Sequence, residues 1–312
     1  MKELVVISGK GGTGKTSLVA SFAALARPMV LVDCDVDAAD LHLVLEPHIR
    51  RREDFVGGSV ARIMPGHCTA CGKCEELCRF DAIYFDGPGN GRVPRTFRVD
   101  PLGCEGCGVC FEFCAEKAIE FLPEVSGQWF VSDTRCGPMV HARLGAGAEN
   151  SGKMVTRLRQ AAQTVAESRG HELVLCDGSP GIGCPVIASL TGASLALIVV
   201  EPTISGLHDF ERIAALTLRL GVPALLSVNK ADLNPEVARR LEAAAERRGI
   251  EPLGRVPYDP AVTQAQMAAQ SVVETSDGPA ADAIRRLWTE VEARLWNSPK
   301  SQVGGLVRME VK

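Results

Sequence analysis

The sequence has no excess of positive charge. Its 34 lysines and arginines stand against 38 aspartates and glutamates, for a net charge of −4. That balance points away from a general polyanion-binding surface, and so from a nucleic-acid partner. Basic pairs such as Arg239-Arg240 and Arg247-Arg248 fall in a helical stretch and read as a solvated face. No signal peptide is expected, because Met1 runs straight into a strand and a glycine loop. The uncharged run 178–200 is broken by Pro180, Gly181, Gly183, Pro185 and Gly192. A loop, a short helix and a buried strand account for it better than a membrane span. The last segment, "SPKSQVGGLVRMEVK" (298–312), carries two glycines and too little apolar face for an amphipathic membrane helix. A cytoplasmic chain without a membrane partner is the expectation.

What is present suits a folded α/β protein. Hydrophobic residues make up 46% of the 312 positions and charged ones 23%, enough for a sizeable core in one large domain with an insert, or in two domains. Apolar runs at 3–8, 29–35, 172–177, 194–200, 223–229 and 252–256 alternate with helical patterns at 16–26, 151–170, 205–219, 235–248, 260–269 and 279–296. Such alternation implies a mainly parallel sheet with helices on both faces. From 57 to 122 the chain turns rich in Gly, Cys and Pro. The expected organisation is therefore one domain from 1–56 and 123–312, interrupted by an inserted domain at 57–122. Residues 123–150, with Trp129 and Phe130, bridge back to the sheet.

Eight of the 12 cysteines lie between 68 and 114, in a run that repeats: "CTACGKCEELCRFDAI" (68–83) recurs 36 residues on as "CEGCGVCFEFCAEKAI" (104–119). A secreted disulfide framework would spread its cysteines differently, so metal ligation in a reducing compartment is the natural reading. Structural zinc also uses C-x2-C pairs. It needs neither the third C-x2-C step nor the trailing x3-C, and both occur twice here. The stretch resembles bacterial two-[4Fe-4S] ferredoxins, in which the fourth cysteine of each run ligates the other cluster. The resemblance implies Cys68, Cys71, Cys74 and Cys114 on one cluster and Cys104, Cys107, Cys110 and Cys78 on the second. Gly72, Gly106 and Gly108 let the backbone fold around the clusters. Arg79 and Ala115 stand where that family has proline after the fourth cysteine, a departure that touches cluster environment more than ligation.

"GKGGTGKT" (9–16) follows a strand, opens a helix and satisfies G-x4-G-K-[ST]. Its Gly11, Gly12, Thr13, Gly14 and Lys15 amides, with Ser17 close behind, suit phosphate oxygens at a helix N-terminus. Lys15 reaches the β/γ-phosphates and the Thr16 hydroxyl ligates Mg2+. With Lys10, the loop resembles the deviant Walker A motif of the MinD/ParA class of ATPases, which includes nitrogenase reductase and Mrp-type cluster carriers. "DCDVDAADLHLVL" (33–45) is similar to that class's switch I and "LVLCDGSPGIGCPV" (173–186) to its switch II. The likeness covers nearly everything outside the insert. It implies that Asp35 orients the attacking water, Asp177 binds Mg2+ through water and the Gly181 amide senses the γ-phosphate. It also implies that Lys10 crosses to the ATP of a second subunit, hence a homodimer, slow without a partner. In "VNKAD" (228–232) Asn229 contacts the purine; with Lys230 and Asp232 the pattern is also that of guanine readers, and Lys10 favours ATP. "VPYDP" (256–260) closes the base pocket at Pro257.

Cys34 and Cys176 sit in buried-strand patterns and read as core residues; Cys136 is open between core and surface. Cys184, seven residues after Asp177, is placed like a cysteine of nitrogenase reductase that shares a cluster between subunits. That enzyme's second ligand has no match among Gly147, Ala148 and Glu149, and the C-terminal C-x2-C of Mrp-type carriers is absent. Cys184 therefore reads either as a redox or metal ligand or as a small buried residue. The whole pattern resembles MinD-superfamily ATPases with an inserted ferredoxin domain. It implies an ATPase that couples nucleotide turnover to electron transfer or to iron–sulfur assembly on a partner. The rival is a MinD- or ParA-like positioning ATPase whose clusters are structural or redox-sensing.

Overall fold

The computed structural model describes residues 1–26, 28–145, 150–300 and 302. Gly147, Ala148, Glu149 and the tail from 303 onward lie outside the described residues. The chain begins with β1 (Lys2–Ser8), α1 (Lys15–Leu25), β2 (Met29–Asp33), α2 (Leu41–Leu45) and a long β3 (His48–Ile63). A compact cysteine-bearing stretch follows: α3 (Lys73–Leu77), β4 (Ile83–Gly87), β5 (Thr96–Val99) and α4 (Val109–Glu112). Then come β6 (Ile119–Thr134), β7 (Gly137–Leu144), α5 (Ser151–Arg169), β8 (Leu173–Pro180), α6 (Cys184–Leu190) and β9 (Leu195–Val200). The chain closes with α7 (Ile204–Leu220), β10 (Ala224–Asn229), α8 (Pro235–Arg247), β11 (Glu251–Val256), α9 (Pro260–Met267), α10 (Val272–Thr275) and α11 (Pro279–Asn297). Two compact units result, one of residues 1–53, 129–144 and 151–312, the other of 54–128 and 145–150.

One sheet of nine strands runs in the order β11-β10-β9-β1-β8-β2-β7-β6-β3, and from β11 to β7 every pairing is parallel. The parallel part forms because its strands are continuous apolar runs that both faces can bury. Leu4, Val6, Leu31, Leu175, Leu197 and Val199 pack with Leu18 and Phe22 of α1 and with Ile284, Leu287, Trp288 and Val291 of α11. The intervening Val5, Ile7, Val30, Val32, Val174 and Ile198 are fully buried too, on the side where α5, α6, α7 and α8 pack. Phe22 meets Trp288 with ring centroids 5.0 Å apart. Burying each such side chain contributes about 1.5–3 kcal/mol. The expected α/β layering with a mainly parallel sheet is thus present. The uncharged run resolves into α6 and β9, and no helix among the described residues is long and apolar enough to cross a membrane.

The sequence reading did not foresee the 16-residue β3 and β6. β3 opens with exposed His48–Arg52 at the edge of the sheet, where charge blunts unwanted pairing, so no apolar alternation marks it. Arg135, in the turn between β6 and β7, holds Glu274 of α10 bidentately at 2.8 and 2.9 Å and donates to the Val44 carbonyl. That pair and Ser271 hold the Glu274 carboxyl down at about 2, against an ordinary 4.5. A depressed folded-state value means stability that is present above pH 4.5 and lost as pH falls toward 2. Melting temperature should fall more gently over pH 4.5–2 in an Arg135→Met variant than in the native chain. Equal slopes would remove the pair from the acid response.

Candidate nucleotide and thiol sites

The phosphate loop is a set of peptides whose carbonyls are tied back. Ser8 Oγ donates to the Lys10 carbonyl at 2.7 Å, Lys230 Nζ to that of Gly12 at 3.3 Å and Asn229 Nδ2 to that of Thr13 at 2.7 Å. In a planar trans peptide the N–H points opposite to the C=O. Holding those three carbonyls therefore aims the Gly11, Thr13 and Gly14 amides the other way. Gly14 (φ 90°) must be glycine twice over, since an added Cβ would stand 2.2 Å from Asn229 Nδ2. It opens α1, whose first turn carries no acidic residue and no side-chain cap, so the positive end of the helix is left for an anion. A cleft of about 380 Å³ lies here, lined by Gly11, Gly12, Gly14, Lys15, Thr16 and Ser17 on one side and Asn229, Lys230, Pro257 and Tyr258 on another. Its size falls in the range of small-molecule sites.

Three carboxylates sit beneath the loop. Lys15 Nζ is 3.4 Å from Asp35 Oδ2, and Thr16 Oγ1 donates to Asp177 Oδ2 at 2.6 Å. Asp177 Oδ1 and Asp33 Oδ2 are buried with no hydrogen-bond partner among the described residues. Burial pushes the Asp33 carboxyl well up, with Asp177 and Asp35 adding to it. Burial raises Asp177 to about 6 against the opposing pull of Lys15 and Thr16. Asp35 is raised by burial and drawn down by Lys15. Such orphaned oxygens beside a threonine hydroxyl are the hard donors a divalent cation takes. The donor set therefore fits Mg2+ held through Thr16 and Asp177, water completing the shell.

Several site residues stand elsewhere than the sequence reading put them. Asn229 Nδ2 donates to the Thr13 carbonyl, so this side chain also holds the phosphate loop. Asp232 accepts from the Tyr258 N–H at 2.6 Å and so shapes the 256–260 turn. The Gly181 amide donates to the Ser8 carbonyl at 2.9 Å and is not open to a phosphate. Thr13 is buried, and Lys10 Nζ lies 3.3 Å from Glu201 of its own chain. Asp33 and Glu201 were missed. The D-x-D spacing of 33–35 could have signalled the first; nothing local signalled the second.

The cysteines of the second unit gather as two equivalent cavities. Cys68, Cys71, Cys74 and Cys114 line one; Cys104, Cys107, Cys110 and Cys78 line the other. The 36-residue offset holds in the backbone as well. Ala70 and Gly106, Gly72 and Gly108, and Asp81 and Lys117 all have positive φ. Met64 N–H donates to the Ala118 carbonyl and Asp100 N–H to that of Ala82, both at 2.7 Å. The Ala82 and Ala118 amides donate to Cys78 and Cys114 Sγ at 3.4 and 3.3 Å. Around them Ala61, Ile63, Ile83, Phe97, Val99 and Ile119 form the apolar core of the unit. Burial pushes the Cys74 thiol up to about 11 and raises Cys110, so these thiols stay protonated unless a metal takes the proton's place. Among the described residues no group of three or more His, Cys, Asp or Glu is arranged to hold a single metal ion. Zinc would draw four sulfurs onto one centre at about 2.3 Å. A cubane asks less, because each thiolate binds its own iron, and the four-thiol donor sets fit that group.

Of the other cysteines, Cys34 and Cys176 are buried as expected, and Cys136 is half-buried. Cys184 is exposed at the start of α6, so it is no small buried residue.

Residues 4–272 match the CobQ/CobB/MinD/ParA nucleotide binding domain. An uncharacterised protein of Methanocaldococcus jannaschii is 34% identical over 236 residues, covering 74% of this chain and 79% of that protein. Among solved structures, the Pyrococcus horikoshii septum site-determining protein MinD with Mg-ADP superposes with a TM-score of 0.57 at 17% identity, over 93% of this chain and 96% of that one. A chain of the Aquifex aeolicus MinC:MinD cell division protein complex gives 0.56 at 18%, over 94% and 96%. At these identities the structural likeness speaks for the fold alone.

Proposed function

The chain belongs to the CobQ/CobB/MinD/ParA nucleotide-binding family, and from that premise we propose that it is a Mg2+-dependent ATPase acting as a nucleotide-controlled switch. The observation that carries this is the phosphate loop itself, with three carbonyls tied back, Lys15 and Thr16 at the helix start and Asp177 beneath. Mg2+, held through Thr16 and Asp177, would supply positive charge to the bound phosphates. ATP recruits Lys15, and Asp35 then loses its counter-ion and becomes a better acceptor for the attacking water's proton. Lys10, released from its own chain, serves the γ-phosphate of a second copy, which makes the working form a homodimer. A cytoplasmic setting is part of this reading. Pro257 and Tyr258 line the cleft, and this reading puts the base against them.

We read residues 54–128 as an inserted two-[4Fe-4S] unit; its support is the pair of equivalent four-thiol cavities. A cluster bound in either cavity supplies a one-electron redox centre. Between the two roles, the regulatory or positioning switch, with clusters that are structural or redox-sensing, has the better support. The family match and the MinD likenesses concern the nucleotide fold and carry nothing on electron transfer. One observation favours the second role, electron transfer to or cluster assembly on a partner: Cys71 and Cys107, the same position in both repeats, are exposed.

The ATPase reading is tested by light scattering and phosphate release with Mg-ATP, where ATP should double the mass and Asp35→Ala should trap the dimer. A chain that neither pairs nor hydrolyses would end it. For the second unit, anaerobic reconstitution should load about eight irons per chain, and Cys107→Ser about four, since each cubane holds four. Stoichiometric zinc with no cluster absorbance would refute the thiol-site reading and leave the ATPase untouched.

A further inference from the structure

Three neighbouring strands end side by side at the phosphate loop: β1 at Ser8, β9 at Val200 and β10 at Asn229. Just past those ends stand Lys10, Glu201 and Lys230. One carboxylate serves both ammoniums: Glu201 Oε2 is 3.3 Å from Lys10 Nζ, and Oε1 binds Lys230 Nζ. Lys230 in turn donates to the Gly12 carbonyl and holds a left-handed backbone, φ 53°, that a non-glycine residue adopts only when its surroundings impose it. The Glu201 side chain is 15% exposed, against 35% for Lys10 and 29% for Lys230, so the pairs are only partly screened by water.

A carboxylate beside a polyanion site is adverse to the ligand unless its charge is used by something else. Here it is used twice. We propose that Glu201 is a positioning residue that holds Lys10 on its own chain until a triphosphate competes for it, and so sets the ATP concentration at which two copies pair. The proposal rests on the reading that Lys10 serves the nucleotide of a second copy. With both lysines satisfied by Glu201, Lys10 has no electrostatic incentive to leave. Bound ATP adds negative charge at Gly11–Lys15, draws the ammoniums toward it and weakens the hold. ADP, with less charge, weakens it less.

The test uses the full chain and two readouts. In the nucleotide-free chain, labelling of Lys10 by acetic anhydride, read by mass spectrometry against Lys300, should speed up in Glu201→Gln, which keeps the size and loses the charge. Pairing, followed by sedimentation with Mg-ATPγS, should reach half-maximum at about fivefold less nucleotide in Glu201→Gln, the worth of one partly exposed ion pair. In a Lys10→Ala background the same substitution should shift nothing, an outcome that a merely structural role would not produce. Glu201→Asp keeps the charge but is one methylene short of bridging both lysines, and should fall between. Unchanged Lys10 labelling, or an equal shift without Lys10, overturns the proposal. Faster labelling in a chain that never pairs supports the hold on Lys10 and overturns instead the dimer reading it rests on.

Discussion

A Lys15→Ala chain is expected to bind ATP on the order of a hundredfold more weakly than the native one, by calorimetry at fixed Mg2+; hydrogen bonds from a charged donor contribute about 1.5–3 kcal/mol each, and this ammonium makes more than one to phosphate. The Lys15 side chain is 5% exposed and faces Asp35 at 3.4 Å. Its removal leaves Asp35 and Asp177 without their buried cation, and negative charge there repels an incoming triphosphate. Lys10→Ala should behave differently, sparing most of the binding and suppressing turnover, because Lys10 lines no wall of its own cleft. A loss below threefold for Lys15→Ala would mean that the loop amides carry the phosphates alone.

Arg159→Met should cost about 3–5 kcal/mol of stability in urea unfolding, because it strands a charge in the core. Arg159 of α5 is 1% exposed, and Glu3 of β1 is fully buried. The guanidinium binds both Glu3 oxygens, at 2.7 and 2.8 Å, and also donates to the carbonyls of Ala188 and Thr191 at 2.5 and 2.8 Å. One side chain therefore neutralises a buried carboxylate in the strand that leads to the phosphate loop and fastens the far end of α6, the helix that follows β8. Adding Glu3→Gln to Arg159→Met should recover much of the loss by removing the stranded charge, though the two carbonyls stay unpaired. If the double variant is as unstable as the single one, the carbonyl bonds and not the ion pair carry the effect.

The parallel sheet could be read from the sequence because its strands are buried on both faces. "ELVVIS" and "LVLCD" are apolar without interruption, and such runs separated by helical patterns leave few alternatives. The phosphate loop was legible for a similar reason, since backbone geometry at Gly12 and Gly14 demands glycine at fixed spacing. The division of the eight cysteines came from the resemblance to two-cluster ferredoxins and not from the repeat itself; in the structure one cavity is lined by Cys114 with Cys68, Cys71 and Cys74, the other by Cys78 with Cys104, Cys107 and Cys110. Long-range pairing was not legible. β3, polar at an edge, and β6, broken by Pro123 and Gly127, carry no periodicity that betrays them. Nor could local pattern reveal that Asn229 bonds to Thr13, 216 residues away, or that Glu201 binds lysines from two other strand ends. Motifs show what a residue type can do; its partner is decided by which strand ends the sheet order brings together, and that order is a property of the folded chain.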